Sequence, residues 1–162
     1  MNKYWKYILF PDFLDCIKDD TLSNMNDEDL TATLNGFAIA AINRFLFPKM
    51  PLTYEYEEAV DPLDNTPYGY YFVDQDDIPI GQPEYQVILA FMKCIWIENR
   101  ITDNNNFNNP FFDKDIKGYS PANMLAAMKN MKESYEKSAE KIAFNYGRVN
   151  KDGKTVWGTL NG

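Results

Sequence analysis

Asp74-Gln75-Asp76-Asp77 places three carboxylates within four residues. Hard cations want several oxygen ligands, so this run is a candidate cation site. The calcium-loop spacing, with its central Gly and closing Glu, is missing from it. Asp113-Lys114-Asp115-Ile116-Lys117 loosely echoes the acid-x-Lys arrangement of metal-dependent nucleases, but it stands in an Asn-rich stretch and not on a strand pattern. The chain contains no His, which removes Ser-His-Asp and Cys-His catalysis and every metal site that needs imidazole. The glycines at 69, 81, 118, 147, 153, 158 and 162 are isolated, so no glycine-rich phosphate loop is present. Nothing positive marks a carboxylate pair for glycoside chemistry. Cys16 and Cys94 stand far apart, with neither a disulfide framework nor a metal spacing, and a reducing compartment is the simplest reading. The residues therefore predict a protein that is not an enzyme and binds no cofactor or metal.

Charge distribution says more about partners. Between Lys49 and Lys93 there is no basic residue, while Glu55, Glu57, Glu58, Asp61, Asp64, Asp74, Asp76, Asp77 and Glu84 are all acidic. That segment carries −9 against a whole-chain −8, which leaves +1 for the rest. Such a face disfavours nucleic-acid phosphate and anionic membrane and favours a basic protein partner. The plainer reading is a solvated surface. The N-terminal apolar run stops at Pro11-Asp12, too short for a signal-peptide core, so no secretion is expected.

The element that must organise these residues is Glu84 to Thr102. Gln86, Lys93 and Arg100 share one narrow stripe with Ala90 and Ile97, and nearly every other direction is apolar. A helix apolar on most sides is buried on most sides. It is too short, and too interrupted by Lys93, to span a membrane. Ile88, Phe91, Met92, Ile95 and Trp96 are expected in the core.

Around it the sequence predicts further elements. Residues 3 to 18 read as one or two short helical turns, with Tyr4, Trp5, Ile8 and Leu9 on one face and Pro11 opening a second turn. A polar stretch covers Asp19 to Asn26. Asn26 caps the next helix, and Asp27, Glu28 and Asp29 suit its first turn. Leu30, Leu34, Phe37, Ala38, Ala41 and Phe45 form its stripe, widened by Ile42 and Leu46, and Pro48 ends it. Gly36 and the alanines at 38, 40 and 41 are small enough for another helix to approach closely. Leu52–Glu57 and Tyr68–Val73 read as an antiparallel hairpin with a long acidic tip. Residues 103 to 118 form a long Asn-rich connection. Ser120 and Pro121 start the last helix, whose seam is Met124, Met128, Met131, Tyr135, Ser138 and Ile142, with Gly147 as its stop. The expected fold is mainly α: a helical bundle around a buried central helix, comprising residues 1–147 with a small antiparallel β-hairpin near 52–73, followed by an extended C-terminal arm at 148–162.

This order, carried by Asn26 to Phe47, Glu84 to Thr102, Ser120 to Tyr146 and the tail Arg148 to Gly162, resembles the head-to-tail adaptor proteins of tailed bacteriophages, the neck or connector rings beneath the portal. The Asn-, Lys-, Tyr- and Phe-rich usage without His is similar in style to that of crAss-like phages. The resemblance implies a structural virion protein without catalytic residues. It would bind the portal protein and neighbouring ring or tail proteins within a homo-oligomeric ring of about twelve copies. It would be located in the virion neck, and in the host cytoplasm during assembly, with no sequence-specific nucleic-acid binding and no membrane. The resemblance assigns partner contacts to Val149, Val156, Trp157 and Leu160. The positive charge of Arg148, Lys151 and Lys154 suits docking of this arm on the acidic face of a neighbour; the alternative is that the arm folds back on its own hairpin and hides Trp157 within the monomer. Two rivals stand beside this reading: a small acidic phage-encoded inhibitor or DNA mimic, and a carboxylate-dependent enzyme with a closed cleft.

Overall fold

The computed structural model of the chain describes residues 3–17, 19–49, 52–58, 68–73, 83–106 and 121–148. In chain order these form α1 (Trp5–Ile17), α2 (Asp20–Ser23), α3 (Asp27–Arg44), β1 (Tyr54–Glu57), β2 (Gly69–Phe72), α4 (Pro83–Asn106) and α5 (Pro121–Arg148). This is the expected mainly helical bundle with a small antiparallel hairpin.

The apolar helix predicted at the centre is α4. Val87, Ile88 and Met92 are fully buried, and Tyr85, Cys94 and Ile97 nearly so. Fully burying an aliphatic side chain is worth about 1.5–3 kcal/mol, so Val87, Ile88, Met92 and Ile97 alone contribute roughly 6–12 kcal/mol of gross stabilisation. Ile95 is buried as well, whereas Phe91 and Trp96 are half-buried and line the flank of the core. Helix α5 runs antiparallel to α4. Glu84 meets Tyr146, Ala90 meets Ala139, and Glu98 meets Lys132. Ala90, Cys94 and Ala139 form a small-residue crossing there. Helix α3 flanks α4 through Leu34, Phe37, Ala38, Ala41 and Ile42.

The cap of α3 is the predicted one: the Asp29 N–H donates to Asn26 Oδ1 at 2.8 Å. The helix ends at Arg44, so Leu46 falls outside it and is exposed instead of widening the stripe. The close approach expected at Gly36 does not occur. An added Cβ there meets open space, because Gly36 points away from α4. In α5 the seam is rotated from the expected one: Ala139 and Tyr146 are buried, Ile142 is half-buried, and Met131 and Ser138 are exposed. Tyr135, Ala139, Ile142 and Tyr146 follow helical spacing, which leaves Ser138 about 100° off the line. The expected stop at Gly147 is also overrun, since α5 continues through it to Arg148. Likewise α4 continues to Asn106, a turn into what was expected to be loop.

Helix α1 is one continuous helix, not two turns, and Pro11 lies inside it. A proline N cannot donate to the carbonyl four residues back, here that of the exposed Tyr7. Tyr85 on α4 supports the same turn: its hydroxyl lies 2.7 Å from the Ile8 carbonyl and 2.6 Å from the Asp12 carboxylate. Burial, reinforced by Asp12, pushes that phenol well above its ordinary range.

Strand β1 pairs with β2 in the register Tyr54↔Phe72, Glu55↔Tyr71, Tyr56↔Tyr70 and Glu57↔Gly69. Gly69 has φ 130°, a conformation that favours glycine. One face of the hairpin encloses Trp5, whose ring centroid lies 5.1–5.3 Å from those of Phe72, Tyr70 and Tyr54. The Trp5 Nε1–H is buried there without a hydrogen-bond partner.

Candidate functional site

Two ends of the helical layer carry the groups that bear on function. At one end, α2 is a single turn that the polar sequence of Asp19 to Asn26 did not announce. Asp19 caps it, accepting from the Thr21 N–H at 2.8 Å. The same carboxylate receives Trp96 Nε1–H at 2.7 Å and Arg100 Nη2 at 2.6 Å. Its side chain is only 2 % exposed, so it is a buried charge with a cation and two further donors. Arg100 also donates to Thr21 Oγ1 at 2.9 Å. Beside this knot lies a cleft of about 300 Å³ between α2, α3 and α4. Leu22, Met25, Phe37 and Trp96 supply apolar walls, and Asn99, Arg100 and Asp103 supply a polar rim.

At the opposite end, Glu84 is buried and accepts from the Tyr146 hydroxyl at 2.6 Å. That hydroxyl accepts in turn from the Lys49 N–H at 2.5 Å, and Lys49 Nζ donates to the Tyr146 carbonyl. The Phe45 ring packs on the Tyr146 ring at 5.1 Å. Burial, with help from Glu84, raises the Tyr146 phenol well above its usual range. Residues 45 and 49 are thus both fastened to Tyr146, and of the three residues between them Leu46 and Phe47 stand out at 75 % and 84 % exposure. Phe144, on the final turns of α5, is also exposed, with the Arg148 guanidinium over its ring at 5.3 Å.

The acidic segment is partly committed within the chain. Glu57 accepts from the Tyr4 hydroxyl at 2.8 Å and pairs with Lys3 at 2.9 Å, which holds its carboxyl below the usual range. Glu55 accepts from Tyr71 at 3.0 Å. A separate lattice joins three helices: Arg44 clasps Glu98 with both terminal nitrogens, and Lys132 bridges Glu98 and Glu136.

Of the predicted contact residues, Arg148 ends α5 and is exposed. Val149, Lys151, Lys154, Val156, Trp157 and Leu160 lie outside the described residues, as do Asp74, Asp76, Asp77 and the 113–117 run. Among the described residues, no group of three or more His, Cys, Asp or Glu is placed to hold a metal ion. Among them too, no helix is long and apolar enough to cross a membrane. Cys94 is buried, and burial pushes its thiol up to about 11. Sequence reasoning missed Asp19, Tyr146 and the Leu46-Phe47 pair as a unit. Pro48 immediately after two large apolar residues was the available signal for the last of these. No protein-family model matches the chain, no curated protein matches it, and no solved structure matches it.

Proposed function

We propose that this protein is a structural subunit that works by contact: a head-to-tail adaptor of a tailed phage, binding the portal protein or the next tail ring as part of a homo-oligomeric ring. One observation carries the reading. Leu46, Phe47 and Phe144, the most exposed of the large apolar side chains described, belong to the end of the bundle at which α5 finishes. The described buried carboxylates, Asp19 and Glu84, are meanwhile spent on internal hydrogen bonds that hold helices together. An apolar end, followed in sequence by a basic segment that contains Trp157, supports an interface at that end, since aromatic anchors carry much of the energy of protein contacts.

The test is solution mass, measured for the protein alone and mixed with the portal protein. An adaptor gives a ring-sized complex with the portal, and deleting 149–162 abolishes it while leaving the melting temperature nearly unchanged. A lone monomer or dimer that ignores the portal refutes the adaptor reading and favours an inhibitor. Unfolding of the truncated chain would refute the assignment of the arm to a neighbour.

A further inference from the structure

We infer that the open edge of β1 takes up an extended, basic segment of a partner protein as an added strand. This deepens the adaptor reading by naming what the partner brings, and rests on it for the partner's place in the same assembly. The first support is the parity of the hairpin. The Val73 N–H donates to the Thr53 carbonyl at 2.8 Å, so residues 53 and 73 form a hydrogen-bonded pair. Such pairs alternate along an antiparallel ladder, which makes Glu55↔Tyr71 and Glu57↔Gly69 hydrogen-bonded too. Tyr54 and Tyr56 therefore aim their N–H and C=O groups away from β2, and those groups take no partner among the described residues. The far side of β2 differs, since Tyr4 bridges Tyr71 there. Glu55, Tyr56 and Glu57 along the open edge are exposed. An unpaired edge is a template for another strand, whose main-chain bonds supply affinity.

The second support is charge. Side chains alternate along β1, with Tyr54 and Tyr56 on the side of Trp5 and Tyr70, and Glu55 and Glu57 on the other. Glu58 follows and is exposed. Two copies of β1 pairing with each other would set glutamate against glutamate, which excludes that occupant. Lysine or arginine at every second position of the incoming strand meets these acids instead. Lys3 pairs with Glu57, and the Tyr71 hydroxyl donates to Glu55, which leaves Glu55 and Glu58 without a cation among the described residues.

The third support is the opposite face. Tyr56 packs on the Tyr70 ring at 5.0 Å and is still 49 % exposed, a platform for a β-branched or aromatic side chain. The occupant is therefore a strand that alternates basic with β-branched or aromatic residues. A four-residue edge makes a weak contact, and its repetition around a ring supplies avidity.

The experiment uses the full chain and a fluorescein-labelled peptide alternating lysine with valine, read by anisotropy. The wild type is expected to bind it and to ignore a peptide with glutamate in place of lysine. N-methylation is then placed on alternate amides. On the valines it blocks the groups facing β1 in an antiparallel strand, and on the lysines those of a parallel one. One methylated form should bind at least about tenfold more weakly than the plain peptide, while the other keeps its affinity. Glu55→Lys, at an exposed position, should lose the lysine peptide by about tenfold and take the glutamate peptide instead. A wild type that binds neither peptide overturns the inference. So does equal binding of both methylated forms, which is plain charge attraction, or a Glu55→Lys protein that behaves like wild type. Peptide binding that appears only after deletion of 149–162 overturns it in favour of the chain's own last residues. Portal binding is measured in parallel. A portal held equally by wild type and Glu55→Lys sinks the edge as the partner site and leaves the adaptor reading. Strand capture without portal binding sinks the adaptor reading and leaves the edge.

Discussion

Asp19→Ala is the most informative single change to the fold. Asp19 is a carboxylate with 2 % side-chain exposure that holds Arg100, Trp96 and the first turn of α2 at 2.6, 2.7 and 2.8 Å. Losing an N-cap costs about 1 kcal/mol. Removing one member of a buried ion pair costs about 3–5 kcal/mol. Arg100 is 35 % exposed and rehydrates when abandoned, so the second figure must be discounted for solvent screening. The contributions overlap, and the total comes to about 2–4 kcal/mol, or a fall in Tm of roughly 5–15 °C for a domain of this size. Asp19→Asn keeps the cap and should cost about 1 kcal/mol less than the alanine. Urea unfolding followed by circular dichroism measures both. In a double-mutant cycle with Arg100→Met, the two losses should be non-additive by at least about 1 kcal/mol. An Asp19→Ala protein within about 0.5 kcal/mol of wild type would show that the carboxylate is hydrated and ties nothing together.

Three more outcomes follow from the same geometry. Tyr85 and Tyr146 have folded pKa values raised above the ordinary 10.0, so their contribution is complete below pH 10 and drains away as pH rises beyond it. Each adds a slope of about 1.4 kcal/mol per pH unit there, and Tyr85→Phe or Tyr146→Phe should each flatten alkaline unfolding by that amount; an unchanged slope contradicts the buried donor role. Native protein should react with a thiol reagent at Cys16 only, with Cys94 labelled after unfolding, because its thiol is buried and raised to about 11. Two thiols labelled at equal rate would contradict this. Gly36→Ala should stabilise α3 by about 0.5–1 kcal/mol, since the new methyl meets open space in a helix interior; a lower melting temperature would mean that Gly36 is packed.

How much of this could be read from the residues depends on range. Asn26 and the acids after it give α3 its start locally, and the apolar circumference of α4 shows through composition alone. The hairpin also follows from local pattern, with Tyr alternating against Glu on β1 and an aromatic run on β2. What failed to show was settled by distant partners. Asp19 looks like any residue in a polar stretch, because its donors Trp96 and Arg100 lie 77 and 81 positions away. Pro11 reads as a boundary until Tyr85, from α4, is found bracing the turn beside it. Leu46 reads as part of the helical stripe because periodicity continues past Arg44. The contact of Phe45 with Tyr146, on the far side of the chain, turns the segment outward instead. The basic arm and the Asp74–Asp77 run were legible only as sequence, being outside the described residues.

The Tyr146 node also bears on the order of events during synthesis. Residues 45–49 and Glu84 leave the ribosome long before Tyr146, yet that side chain fastens all of them. A nascent chain still lacking its last helix has a carboxylate at 84 with no phenol to meet it and an apolar pair with no anchor on either side. The outward setting of Leu46 and Phe47 is therefore fixed only when α5 docks.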